Sequence, residues 1–276
     1  MTPSEVPVAA LFVRAGNVWS PQEACIGPWS PDALHGGPVS ALCVSAAEEL
    51  APGDDFITSR LTLDFIRPVP TRPLTVTSNI LKGGKRVILV DIQIADCATP
   101  VAFARVQRTR QLSVTLPELR DTGVEQIPPP DLPSSFDPLD TSLAPRRPAP
   151  FLRLATELRT PRGVGVYEPR STVAWLRVFA DLCPGVPLSP AAAVVAAADY
   201  GNALGAPAIP GKTPVLFPNA DLTVHLARHP HSGWVRMQPA TTWLEAGIGH
   251  TRCDLSDEHG MLGTSSVTLP LMMAQI

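Results

Sequence analysis

Along residues 57–67, Leu61, Leu63 and Phe65 alternate with Thr62, Asp64 and Ile66. That period of two predicts a strand with one face buried and one facing water, as antiparallel sheets commonly have. Further strand patterns run over Leu74–Leu81, Arg86–Ala95 and Val101–Val114, and Pro100, after Ala98-Thr99, marks the hairpin between the last two. Ahead of these four lies a helical period. Val39, Leu42, Cys43, Ala46, Ala47 and Leu50 fall on one face of a helix from Pro38 to Leu50. Proline suits the first helical turn, where a missing N–H costs little. Leu11–Trp19 reads as a short strand and Pro31–Gly37 as the loop before the helix.

The second half predicts the same order. Strands are expected at Leu152–Arg159 and Ser171–Phe179, then an Ala/Val-rich helix from Ser189 to Leu204, with Ser189 as N-cap and Pro190 at the first helical position. Strands follow at Val215–Arg228, Gly233–Glu245, Gly249–Leu255 and Met261–Met272. The halves also match residue by residue. Leu61-Thr62-Leu63-Asp64-Phe65-Ile66-Arg67 reappears as Leu222-Thr223-Val224-His225-Leu226-Ala227-Arg228, an offset of 222 − 61 = 161. The same offset carries Ile94-Ala95-Asp96 onto Leu255-Ser256-Asp257. A repeat this long is one domain duplicated and fused, and fused pairs tend to keep a site where the copies meet. The helix Ala191 to Ala198 is apolar nearly all round, so something must wrap it. One curled antiparallel sheet around one helix, twice over, is an α+β arrangement that meets this demand.

Between about Leu116 and Pro150 the pattern dissolves into prolines, among them Pro128-Pro129-Pro130, Pro133, Pro138 and Pro145. Proline removes backbone donors and favours extended neighbours, so this stretch is expected to be a surface connector. The expected division is 1–115, a connector over 116–150, and 151–276. With 276 residues, 45% hydrophobic and 17% charged, the chain has material for a real core and too little charge for disorder. A net charge of −3 with no basic stripe argues against nucleic acid. No run reaches the ~20 apolar residues needed to span a bilayer. Met1 to Asn17 lacks the pattern of a secretion signal. The five cysteines are scattered without the close pairs that bind zinc, so no metal is expected and a reduced, cytoplasmic setting is.

His35-Gly36-Gly37 before a helix, then Leu61-Thr62-Leu63-Asp64-Phe65-Ile66-Arg67-Pro68, resembles the hotdog fold of acyl-CoA thioesterases. With two copies in one chain, the sequence is similar to the double-hotdog, thioesterase-II-like group. The resemblance implies hydrolysis of acyl-CoA to a free acid and CoA, an acyl-CoA substrate as the small-molecule partner, no cofactor, and either a pseudo-dimeric monomer or a homo-oligomer. In that group an Asp on the second central helix, a Thr or Ser early on the next long strand and a Gln on the last strand position the attacking water. Asp199 occupies the first place, Asn219 the second and Thr268 the third, so two of the three are substituted. The repeat offset gives 268 − 161 = 107, and Gln107 stands there in the first copy.

Thioester hydrolysis requires a base for the water and donors for the oxyanion. Asp199 is the candidate base; its alternative is a helix-surface carboxylate or a cap. Asn219 is a water-holding amide or a turn residue after Pro218, and Thr268 a water ligand or a structural strand residue. Gly36 and Gly37 are candidate oxyanion donors at a helix start, or simply a tight turn. His35 touches substrate or is a loop histidine, and the sequence offers it no partner. Tyr200, Leu204, Trp29 and Trp243 are candidate liners of an acyl slot. Arg67, Arg86, Arg105, Arg108, Arg110, Arg228 and His229 are the cations for CoA phosphates, or ordinary surface charges. Two other readings stand beside hydrolysis: an acyl-CoA-binding protein, favoured by Asn219 and Thr268, and a hotdog hydratase, disfavoured because no histidine follows Asp199 in Tyr200-Gly201-Asn202.

Overall fold

A computed structural model describes residues 9–113, 129, 131–139, 149–164, 172–205, 215–231 and 233–273. The first half contains strands β1 (Phe12–Ala15) and β2 (Val18–Pro21), helix α1 (Gly36–Leu50), then β3 (Phe56–Phe65), β4 (Leu74–Lys82), β5 (Val87–Asp96) and β6 (Thr99–Arg110). After β7 (Asp137–Pro138) come α2 (Pro150–Ala155), β8 (Thr156–Thr160), β9 (Ala174–Val178) and a small hairpin, β10 (Asp181–Cys183) with β11 (Val186–Pro187). The chain continues through α3 (Pro190–Ala198), α4 (Gly201–Leu204) and β12 (Val215–Leu216). It ends with β13 (Asp221–Leu226), β14 (Trp234–Leu244), β15 (Ile248–Asp257), β16 (Gly260–Pro270) and β17 (Met272–Met273).

Thirteen of these strands form one sheet in the order β1-β2-β4-β5-β6-β3-β13-β16-β15-β14-β9-β8-β7. The repeat is written into that order. Reading outward from the middle, β3, β6, β5 and β4 on one side answer β13, β16, β15 and β14 on the other. At the seam Thr62 pairs with Thr223, Leu61 with Val224 and Leu63 with Leu222. Thr62 therefore faces its own repeat mate (62 + 161 = 223), and the pairs on either side exchange roles. That is the signature of a two-fold relation between the halves, like the self-complementary contact of a symmetric dimer. Leu61, Leu63, Leu222 and Val224 are all buried, so the seam is dry on its inner face.

Helix α1 packs on β3, β4, β5 and β6, α3 packs on β9 and β14, and the two helices pack against each other. The core therefore lies between one large sheet and a central pair of helices. Gly37 makes the close approach: a Cβ there would sit 2.7 Å from the Ala196 carbonyl oxygen and 2.9 Å from the Phe151 ring.

Several expected elements are divided. The expected strand over Leu11–Trp19 is a hairpin, β1 pairing with β2, because Gly16 turns the chain with φ +63°. Leu152–Arg159 begins as a helix: Pro150 starts α2, and Phe151, Leu152 and Ala155 bury one side before β8 begins. The helix expected from Ser189 to Leu204 breaks at Asp199-Tyr200 into α3 and α4. The strand expected over Val215–Arg228 is interrupted around Pro218, leaving β12 and β13. Most of the connector, like the ends 1–8 and 274–276, falls outside the described residues. Of its centre, Asp131 is held by Arg236 at 2.7 Å and by the Trp175 indole N–H at 3.3 Å.

Candidate active site

The break between α3 and α4 positions the carboxylate. Asp199 is the C-cap of α3, and its side chain turns toward the start of α1. It is 2% exposed, so it is a buried acid at the junction of the two helices and not a surface residue. At Gly36, a Cβ would lie 2.5 Å from Asp199 Oδ1. No residue other than glycine fits there without displacing the acid.

Two side chains address the carboxylate. Asn219 Nδ2 donates to Oδ1 at 2.6 Å and to the Asp199 main-chain carbonyl at 3.1 Å. His35 Nδ1 lies 2.9 Å from Oδ2. The Gly37 N–H also donates to His35 Nδ1 at 3.1 Å, making His35 the N-cap of α1. His35 Nδ1 thus has two competing neighbours: carrying the ring proton it donates to Asp199, and without that proton it accepts from the Gly37 N–H. The partner that the sequence did not offer His35 is supplied from the other half of the chain. The imidazole lies 4.7 Å from the Phe151 ring, tilted to it, and 6.0 Å from the Tyr200 ring, closer to parallel.

Among the described residues the buried Asn219 Oδ1 finds no hydrogen-bond partner, which leaves an acceptor for a water or a ligand group beside the acid. Its segment is tied to α4 by Asn202 Nδ2, which donates to the Phe217 carbonyl at 3.4 Å. Phe217 stands between Trp29 (5.2 Å) and Trp243 (5.5 Å), both edge-on. Two of the candidate liners are thus joined by a third aromatic that sequence reasoning passed over. Phe217 lies two residues before Asn219, and that adjacency was the available signal.

Not every expected residue comes to this place. Val267 and Leu269 are buried, so the alternation of β16 turns Thr268 to the opposite, exposed face. Its N–H bonds Asp221 Oδ1 at 3.0 Å. By the same alternation Val106 and Arg108 face inward on β6 and Gln107 outward, where it bonds Ser59 Oγ at 3.3 Å. Of the two candidate oxyanion donors, Gly37 N–H is engaged by His35, which leaves Gly36 N–H at the helix start.

Most candidate CoA cations have internal partners. Arg105 pairs with Asp91, Arg110 with Asp55 and Arg228 with the fully buried Asp257. Arg108 binds the Ala51, Gly53 and Phe56 carbonyls, whereas Arg67 and Arg86 are exposed. Burial pushes the thiols of Cys43 and Cys253 up to about 12, leaving them as unreactive packing groups. Among the described residues no group of His, Cys, Asp and Glu could hold a metal ion, and no helix is long and apolar enough to cross a membrane.

Residues 26–120 match a family model described as acyl-CoA thioesterase N-terminal domain, and residues 126–268 match the acyl-CoA thioesterase C-terminal domain. No curated protein matches the sequence. Solved structures with a similar fold include an acyl-CoA thioesterase II from Mycobacterium marinum (12% identity, TM-score 0.63), covering 95% of this chain and 94% of that one. A hot dog fold protein of unknown function from Alicyclobacillus acidocaldarius is 16% identical with TM-score 0.64, over 96% of each chain. A thioesterase II candidate from Thermobifida fusca is 17% identical with TM-score 0.69, again over 96% of each.

Proposed function

Because the chain belongs to the acyl-CoA thioesterase family, we propose that it hydrolyses acyl-CoA to a free carboxylic acid and CoA at the Asp199 site. The architecture is read as a tandem hotdog, 1–115 and 151–276 joined by 116–150, each half placing one helix on its own part of the continuous sheet. Since one chain carries both sides of the seam, a pseudo-dimeric monomer is sufficient for the site.

In this reading a water lies between Asp199 and the open acceptor Asn219 Oδ1. It attacks the thioester carbonyl carbon, and its proton passes to the Asp199 carboxylate, beside His35. The oxyanion is held by Gly36 N–H at the positive end of α1. Collapse expels the thiolate, which takes up the proton. Thr268 and Gln107 stay outside the set. The acyl chain lies along the Trp29–Phe217–Trp243 wall. The observation that carries this reading is the buried Asp199 carboxylate wedged against Gly36.

A binding protein without turnover is the second reading, motivated by the amide at position 219 and the exposed Thr268. Thiol release across acyl-CoA chain lengths, run in 18O-labelled water, separates the two. Hydrolysis predicts turnover with label in the acid; saturable binding with no thiol released favours the binding protein.

A further inference from the structure

The first main-chain N–H groups of a helix have no partner inside it, and at α1 their fates differ. The N–H of His35, the capping residue, donates to the Cys25 carbonyl at 2.8 Å. Gly36 and Gly37 follow, and Pro38, third in the helix, has no N–H at all. Gly36 and Gly37 are therefore the donors this helix end can present to a ligand, and Gly37 is taken by His35 Nδ1 at 3.1 Å. The cap itself is unusual. Helix starts favour Ser, Thr, Asp or Asn, and α3 follows that preference, with Ser189 Oγ accepting from the Ala192 N–H at 3.1 Å. An imidazole at the other central helix calls for a second reason.

That reason is the acid. Nδ1 also lies 2.9 Å from Asp199 Oδ2, and a ring nitrogen carries either a proton or a lone pair in the ring plane, never both. As an acceptor it caps Gly37; as a donor it binds Asp199. The surroundings keep the ring between them. Gly27, whose Cβ would lie 3.0 Å from His35 N, lets the two chain segments pass in contact, and Phe151 and Tyr200 lie against the imidazole. The two bonds are not equal. A hydrogen bond to an ionised carboxylate is roughly twice as strong as one between neutral partners, and Asp199 is too deeply buried for bulk water to compete. While Asp199 is ionised, the proton therefore stays on Nδ1 and the Gly37 N–H is let go.

We propose that His35 is a positioning residue that completes the oxyanion site: by donating its Nδ1 proton to ionised Asp199, it releases the Gly37 N–H to join Gly36 N–H as a second donor. The inference rests on the hydrolysis reading above. It ties two requirements together. The charge state in which Asp199 can take a proton from water is also the one in which two N–H groups are free to face the acyl oxygen. With Asp199 protonated at rest, the advantage of the charged bond is gone, and the cap on Gly37 withdraws the second donor. Once the oxyanion has formed, its own charge holds the Gly37 N–H. The Nδ1 proton is not transferred: the reacting proton passes from water to Asp199 and on to the departing thiolate. His35 acts through Gly37 and Asp199, without touching the reacting atoms.

Steady-state thiol release from acyl-CoA by the full chain carrying His35→Ser or His35→Ala, together with thermal midpoints, tests this. A serine cap has only the Gly37 N–H to take, because Pro38 offers none, so it holds that donor permanently. His35→Ser is expected to melt within a few degrees of wild type yet lose about 100-fold in kcat, the scale of one oxyanion donor, with KM within about threefold. His35→Ala leaves the N–H uncapped. It should melt about 2–4 °C lower and still turn over faster than His35→Ser. A cap with no other role predicts the reverse order, His35→Ser near wild type and His35→Ala the slower, and that order overturns the proposal. The ring proton is read separately, by 15N NMR of wild type labelled at histidine, at neutral pH. Nδ1 of His35 should be protonated, and an unprotonated Nδ1 overturns the proposal whether or not thiol is released. A protonated Nδ1 in a chain without turnover would sink the hydrolysis reading and leave the proton assignment standing.

Discussion

At position 36 a single added carbon would collide with Asp199, whose carboxyl carbon lies 2.8 Å from where a Cβ would be. Gly36→Ala therefore has to displace the acid or shift the helices. We expect it to cost about 1–3 kcal/mol in urea unfolding despite the better helix propensity of alanine. Asn219→Ala removes the amide donor from a buried carboxylate, with an expected loss of about 1–3 kcal/mol and a fall in kcat larger than any rise in KM. An unchanged stability would mean that water replaces the amide. Asp199 and Asn219 were singled out by the family resemblance and Gly36-Gly37 by their place at a helix start, whereas the close approach of the acid to Gly36 was not readable from the sequence. Nor was the contact of His35, since its partner is 164 residues away (199 − 35) and only the fold brings it within 2.9 Å. Thr268 and Gln107 share a register position, but one register fixes one face, and the alternation of β16 and β6 turns both outward.

Periodicity located the long strands and both central helices because each buries a continuous apolar face. Breaks inside them were less legible. Asp199-Tyr200 divides α3 from α4 where alanine-rich composition favours an unbroken helix, and the bonds to His35 and Asn219 come from outside the segment. Phe151 and Leu152 read equally well as strand or helix until Pro150 is seen at the helix start. At this scale the seam between β3 and β13 is decisive. Leu63 and Leu222 face each other across it, 1% and 0% exposed. Leu222→Ala should cost about 3 kcal/mol in urea unfolding. It should also speed hydrogen exchange in β3 as well as β13; acceleration confined to β13 would show that the strands open independently.

One continuous sheet makes the halves a single unit, and its buried charges set how that unit responds to acid. Asp257 is held down to about 2: burial works against its charge, but Arg228 and the N–H groups of His231 and His259 outweigh it. A carboxyl lowered from 3.8 contributes stability that is full above that value and lost as pH falls through about 2. The contribution is on the order of 2 kcal/mol. Stability of wild type should therefore fall below pH 4 more steeply than that of Asp257→Asn, and parallel curves would contradict it. For the whole molecule the central claim is that the buried acid between the two helix ends activates water against a thioester. The most direct measurement is the single-turnover rate of CoA release by Asp199→Asn, at matched acyl-CoA saturation. Loss of the acid is expected to lower this rate about 100-fold while substrate still binds. A wild-type single-turnover rate in the folded variant would contradict the account.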